Sequence, residues 1–444
     1  MSCGSDLSSA AFSIVPPIHH LPTELLVHVF HHLRETVVNR CSNPEDCQWT
    51  YETTSTDWAI VMLVCRYWCD VAYATPGLWR TIWIKDKHEI RRLPVALQRS
   101  HDTLIDVTLG AKVTTSAVVE TLLPHASRLH SLSLVNEPYL SSLKLLGPLW
   151  TVPMPALREL LINQATPSPV WWFDVLELDD NFLPALRTLR VSEAIFPWHS
   201  PIVPKLHTLR VHRVDHNGTV QTPGNFVAFL QSCATGAMRH LELQHAYIYD
   251  LTVFQENSPD THRRVDLPYL ESLSLTYHTT TLFKIVLSHA TLSPSADLNI
   301  VWDLTLEDGV SLAIEEASHG LLDIVPHDPR CIPHLSTTVA AVVTVKDRRG
   351  EKHIRLVCET SSTEGSPAGK MEVTLWVKTL SPTLEWAYTV DQLMEDFCIL
   401  FADSPLHELS LTFADDEPLK RRLSEASSSR IHRTFPTLSR LDVV

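Results

Sequence analysis

The first apolar run along the chain, "IHHLPTELLVHVFHHL" at residues 18–33, has the periodicity of a helix. Leu25, Leu26, Val29, Phe30 and Leu33 recur at spacings of three and four and form a stripe down one side. Leu21 and Val27 flank that stripe and widen it, leaving His28, His31 and His32 to cover the remainder. Pro22 suits the first helical position, where a missing N–H costs nothing, and Glu24 suits the positive end of the helix dipole. A second run, "DWAIVMLVCRYWCDVAYATPGLWRTIWI" at 57–84, sets Ile60, Leu63, Val64, Tyr67, Trp68 and Val71 at helical spacing before Pro76 and Gly77 stop it. The stretch between them, rich in Asn, Pro, Asp, Ser and Thr, reads as a loop insertion over 34–57. A unit of about 65 residues buries only about 60% of its unfolded surface. This much aliphatic surface therefore predicts an interface.

Beyond residue 103 the pattern changes to a repeat. LxxLxL recurs as "LHSLSL" at 129, "LRELLI" at 157, "LRTLRV" at 186, "LHTLRV" at 206, "MRHLEL" at 238, "LESLSL" at 270, "LHELSL" at 406 and "LSRLDV" at 438, with a weaker "LIDVTL" at 104. Pro155, Pro184, Pro204, Pro268, Pro405 and Pro436 precede the motifs and stiffen entry into a short strand. Helical candidates lie between them: "TTSAVVETLLPHA", "NFVAFLQSCA", "TLFKIVLSHA" and "DQLMEDFCILFA". Strand, turn and helix at this period resemble a leucine-rich-repeat solenoid, irregular because it lacks an asparagine ladder. The leucines are expected to point inward, and the alternate positions outward along a concave parallel sheet with helices on its outer side. Residues 294–400 break the rhythm. There "ADLNIVW" reads as a strand, "TTVAAVVTVKDRRGEKHIRLVCET" as two strands about "DRRG", and "MEVTLWVK" as another. They are either divergent repeats or a β-rich insert continuing the same sheet.

The two N-terminal runs carry a second resemblance. "LPTELLVHVFHHL" followed by "VCRYWCDVAYATPGLW" is similar to an F-box, with its leading Leu-Pro, its Val-Cys-Arg-x-Trp centre and its terminal Leu-Trp. The long connection over 34–57 departs from the family's short one. The whole chain thus resembles F-box proteins with degenerate leucine-rich repeats, an α/β fold with a small helical domain ahead of a solenoid. The expected organisation is a disordered tail over 1–17, the F-box-like domain over 18–84, a linker over 85–102 and the repeats over 103–444. The resemblance implies a substrate receptor of a cullin–RING ubiquitin ligase, which binds a Skp-family adaptor and, through it, cullin and RING proteins. It implies that Leu21, Pro22, Leu25, Leu26, Val29 and Phe30, with Val64 and Trp68, enter the adaptor groove. The alternatives are a non-catalytic F-box scaffold or a leucine-rich-repeat protein-interaction module that directs no ubiquitylation, and, for the N-terminal helices, a plain cap on the solenoid.

Composition narrows the choice. A net charge of −15 disfavours nucleic acid and anionic membranes as partners, and no window reaches the ~18 apolar residues of a membrane span. Nine scattered cysteines and an N-terminus without a basic start or apolar run point to a reduced setting, cytoplasmic and/or nuclear. Twelve glycines, with no Walker, dinucleotide or nucleophile-elbow motif, argue against an enzyme and for no cofactor. His28 and His32 lack a third ligand, Cys41 and Cys47 are misplaced for zinc with His31 and His32, and Cys65 and Cys69 read as small core residues, so no metal is expected. The outward positions of the repeat are more informative. Arg190 and Arg210 hold the same slot in consecutive motifs, with His212 and His240 close by. Such a group either holds an acidic or phosphorylated target or is neutralised by Glu159 and Glu242 along the sheet.

Overall fold

The computed structural model of the 444-residue chain describes residues 21–41, 57–87, 89–110, 113–137, 145–164, 178–192, 197–212, 223–245, 264–277, 280–306, 320–348, 351–361, 368–379, 389–415 and 424–443. The expected tail over 1–17 lies outside them. The N-terminal runs form helix α1, Thr23–Cys41, a 3₁₀ turn at Asp57–Leu63, helix α2, Arg66–Tyr73, and a second 3₁₀ turn at Pro76–Trp79.

Three expectations change here. α1 runs through Arg34–Cys41, the first part of the expected loop, because no glycine or proline interrupts it before Pro44. The second run is not one continuous helical stripe. Cys65 is extended, at φ −164° and ψ 169°, and separates the tighter 3₁₀ turn from α2. A 3₁₀ turn has about three residues per turn, so the apolar positions before Cys65 rotate out of register with those after it. The expected linker over 85–102 is also structured. A 3₁₀ turn at Glu89–Arg92 leads into a helix at Leu93–Arg99, whose Leu93 and Leu97 are buried one turn apart. Their i,i+4 spacing gives that helix an apolar face.

The helical unit has its own core of Leu26, Phe30, Trp58, Val61, Trp68, Val71, Ala72 and Leu78. Phe30 meets Trp68 edge-on at 5.3 Å, and Trp58 meets Trp79 edge-on at 5.3 Å. The Trp79 indole N–H donates to the Ala72 carbonyl at 3.0 Å, and the Arg34 guanidinium donates to the Gly77 carbonyl. This core is separate from the main one. The join includes Arg99, whose guanidinium lies over the Tyr73 ring at 4.3 Å.

The remainder is mixed α/β, built on a large, mostly parallel sheet. The strands are β1 Thr81–Ile84, β2 Ile105–Leu109, β3 Leu129–Glu137, β4 Glu159–Gln164, β5 Thr188–Ser192, β6 Thr208–His212, β7 His240–Gln244, β8 Val265–Leu267, β9 Ser272–Tyr277, β10 Ala290–Leu292, β11 Asp297–Leu306, β12 Thr338–Arg348, β13 Glu351–Thr360, β14 Lys370–Thr379, β15 Glu408–Asp415 and β16 Arg440–Val443. Fourteen of them form one sheet in the order β1-β2-β3-β4-β5-β6-β7-β9-β11-β14-β13-β12-β15-β16, while β8 and β10 pair apart. Among the described residues of the large sheet, only β13 runs against its neighbours. The segment expected to be β-rich therefore continues the same sheet. β12 pairs with β15 in parallel, and β13 and β14 return through the gap to reach β11.

The LxxLxL motif becomes two inward rows. Leu132, Leu160, Leu189, Leu209, Leu241, Leu273 and Leu298 stand opposite one another strand by strand, and Leu134, Ile162, Val191, Val211, Leu243, Leu275 and Ile300 form the second row. All are buried in one cluster with Phe226 and Phe229 from the helix at Pro223–Thr235 and Phe283 from the helix at Thr280–His289. At the strand entrances the residue after Leu157, Leu186, Leu206, Met238, Leu270 and Ala296 continues the ladder: the Arg158, Arg187, His207, Arg239, Glu271 and Asp297 N–H groups donate to His130, Arg158, Arg187, His207, Arg239 and Glu271 carbonyls at 2.7–2.9 Å.

Leu209→Ala should cost about 2–5 kcal/mol in urea unfolding, since it leaves a cavity in a fully packed row. Thr208→Ala, on the opposite face, should stay within about 0.5 kcal/mol. Equal effects at the two positions would contradict the inward–outward assignment.

Candidate functional site

The sequence points to two surfaces, and the structure treats them differently. On the helical unit, Leu26 and Phe30 are fully buried and Trp68 nearly so. These three face inward because they sit on the side of α1 and α2 that closes the unit's own core. Leu21 is half-buried against that core and Pro22 is exposed, its carbonyl accepting the Leu25 and Leu26 N–H groups so that the helix begins just after it. Leu25 and Val29, one turn apart on α1, are each 51% exposed, and Val64 is 54% exposed.

Two residues join them that the sequence set at helical spacing without naming them for the adaptor contact. Ile60 is 65% and Leu63 84% exposed, because the 3₁₀ turn points Trp58 and Val61 inward instead. α1 and α2 are tied together at their starts. Thr23 Oγ1 and the Tyr67 hydroxyl share a hydrogen bond of 3.0 Å between the starts of α1 and α2. Of the thirteen large apolar side chains exposed among the described residues, five are Leu25, Val29, Ile60, Leu63 and Val64. Scattered exposed leucines need no explanation, but so many in a small unit with a closed core mark a contact surface.

The second surface is the outward face of the sheet. Arg190 and Arg210 stand opposite each other on β5 and β6, with Thr188 and Thr208 on one side and Ser192 and His212 on the other. Both arginines are half-exposed. The next strand decides the local charge, because Glu242 stands opposite Arg210 and its Oε2 lies 2.8 Å from the Arg210 Nε. Gln244 donates to the same carboxylate from two residues on. Glu159 stands in the neighbouring row, opposite Thr188. His240 falls in that row too, opposite Thr208, where it shares a hydrogen bond of 2.9 Å with Ser272 and lies 3.7 Å from Glu271. His212 lies with its ring centroid 6.0 Å from that of the buried His245. The register thus brings Arg190, Arg210 and His212 together, sets His240 a row away, and gives Arg210 a carboxylate partner.

Among the described residues, no group of three or more His, Cys, Asp or Glu side chains is placed to hold a metal ion, and no helix is long and apolar enough to cross a membrane. Cys65 and Cys69 are half-buried. The buried thiols Cys233 and Cys358 are pushed well above their ordinary range by desolvation, which leaves them protonated and unreactive.

Arg210 and Glu242 form a partly exposed pair, so their coupling should be small. A double-mutant cycle with Arg210→Met and Glu242→Gln should give about 0.2–1 kcal/mol at low salt and less at high salt. A coupling above that range that persists in salt would make the pair a structural strut.

The chain was compared with known proteins, and neither a family model nor a curated protein matches it.

Proposed function

We propose that this chain is the substrate-recognition subunit of a Skp–cullin–F-box ubiquitin ligase. The observation that carries the reading is the apolar surface of Leu25, Val29, Ile60, Leu63 and Val64, left exposed on a unit that already has a core. It lies in the segment whose motif resembles an F-box, the part that would enter a Skp-family adaptor. The adaptor in turn would bring cullin and RING proteins. This chain would perform no bond chemistry itself. It would raise the effective concentration of a target's lysines near a ubiquitin-charged enzyme.

The target would dock on the outward face of the sheet, where hydroxyls and amides alternate with Arg190, Arg210, His212 and His240. An acidic or phosphorylated segment suits the paired guanidinium groups, whose planar forks match carboxylate and phosphate. It would compete with Glu242 for Arg210, which favours a dianionic phosphate over a single carboxylate.

Leu25→Asp with Val29→Asp tests the adaptor contact, because both side chains are exposed and the unit's core is left intact. The double variant should keep its unfolding midpoint and lose capture of a Skp-family adaptor, since unpaired charge in a desolvated groove costs several kcal/mol. Phe30→Asp should instead unfold the helical unit, because Phe30 is interior. Retained adaptor capture by the folded double variant would sink the proposal. A scaffold differs from a receptor in outcome. Reconstituted with cullin, RING protein and charged conjugating enzyme, a receptor transfers ubiquitin to the protein it binds, and a scaffold leaves that protein unmodified.

A further inference from the structure

Two helix starts meet at the C-terminal end of the sheet. Ser424 caps the helix Glu425–Thr434, and its Oγ accepts the Ser427 N–H at 3.1 Å. Asp391 lies in the first turn of the helix Val390–Leu400, just after the Thr389–Gln392 capping box. One oxygen of Asp391 accepts two hydrogen bonds from the neighbouring helix, from the Ser424 hydroxyl at 2.9 Å and the Ser427 hydroxyl at 2.5 Å. Those hydrogen bonds, the Ser427 one foremost, hold the Asp391 carboxyl below its ordinary range, so it is ionised at neutral pH. Farther along, Arg430 pairs with Glu395 at 2.5 Å, and Phe397 packs against Phe435 at 5.7 Å. The two helices are therefore held by apolar contact at one end and by serine hydroxyls on a carboxylate at the other.

Ser424 also ends the sequence "KRRLS", residues 420–424. The chain has four Arg-Arg pairs, and the residues standing two places beyond them are Pro94, Asp266, Glu351 and Ser424. Only the last carries a hydroxyl. Serine/threonine kinases with carboxylates in the substrate groove select acceptors by this pattern of charge. Ser424 is half-buried rather than enclosed, which leaves its hydroxyl within reach once the cap frays.

We propose that Ser424 is a phosphorylation site for a basic-directed kinase, and that its modification unclasps the last helix from the helix Val390–Leu400. In the transfer the Ser424 Oγ bonds to the γ-phosphorus of ATP. The bond from that phosphorus to ADP breaks, ADP leaves with the electron pair, and the serine proton passes to the kinase's base. The product has no hydroxyl hydrogen to give Asp391. It sets a charge of about −1.5 to −2 beside that carboxylate and beside Glu425. Phosphate at a helix N-terminus suits its own helix dipole, so Glu425–Thr434 stays helical while its serine end is pushed off Asp391 and only the far contacts of Arg430 and Phe435 remain.

The test uses the full chain, MgATP and the catalytic subunit of cAMP-dependent protein kinase as the probe. One phosphoryl group should appear on the peptide that contains Ser424 and be lost in Ser424→Ala. Arg421→Ala with Arg422→Ala, which leaves the cap in place, should slow incorporation by about tenfold or more. Hydrogen exchange of amides 425–434 should quicken by about tenfold on phosphorylation. Asp391→Asn in the phosphorylated protein should restore much of the protection by removing the like charge. Incorporation that is absent, or unchanged in Ser424→Ala, overturns the acceptor assignment. Phosphorylation with unchanged exchange overturns the unclasping.

Discussion

Burial of the leucine rows in one cluster with the helices and turns that connect the strands is the constraint on which the rest of the sheet depends. A strand such as β5 offers two inward side chains, Leu189 and Val191, which amount to no core by themselves. Each row becomes a core only when the neighbouring strands align in register, at the ~4.8 Å spacing of hydrogen-bonded strands. A slip of one residue would turn Thr188, Arg190 and Ser192 inward and the aliphatic pair out to water, so the motif specifies register as strongly as it specifies burial. The backbone ladder from Arg158 through Asp297 extends the pairing by one residue at each strand entrance.

The same constraint shapes the outward face. With the inward positions committed to leucine and its relatives, variation is left to the alternate positions, and charge gathers there: Arg210 with Glu242, Arg355 and Lys370 with Glu372, Arg80 and His130 with Asp106. These pairs are partly exposed and contribute little to stability individually. Their effect is on what the face can bind, because a ligand must displace a partner rather than meet a bare cation. The strands on either side of the reversed β13, β12 and β14, add apolar side chains to the outward face. Val342 stands opposite Val357, and Trp376 stands opposite His353. Both Val342 and Trp376 remain exposed.

The helical unit obeys a different rule. Its two apolar runs hold more aliphatic surface than one small core absorbs, and the break at Cys65 divides that surface. One part, with Leu26, Phe30, Trp58, Val61 and Trp68, closes inward. The other, with Leu25, Val29, Ile60, Leu63 and Val64, stays outside. Interior and exposed apolar side chains thereby occupy adjacent positions of the same helix, which is why neighbouring substitutions in α1 are expected to act on different properties.

What the sequence determined by itself is whatever depends on local period. The LxxLxL spacing identified the strands from β2 to β9 that carry it, together with β15 and β16, and the apolar alternation of 338–379 identified three more. The slot shared by Arg190 and Arg210 was readable for the same reason, since equal offsets within a repeat become neighbours once the strands align. What only the tertiary structure decided was which of several apolar positions face inward, and which charges meet. Leu25 and Leu26 are equally apolar in sequence, yet one is exposed and the other enclosed by Trp68 and its neighbours. The span expected as a linker became a helix once Leu93 and Leu97 had a sheet to pack on. Glu242 holds in the next motif the slot that Arg210 holds in its own, so the repeat offered it as a neutralising partner, and the structure decided between that and a bare basic spot by setting its Oε2 2.8 Å from the Arg210 Nε.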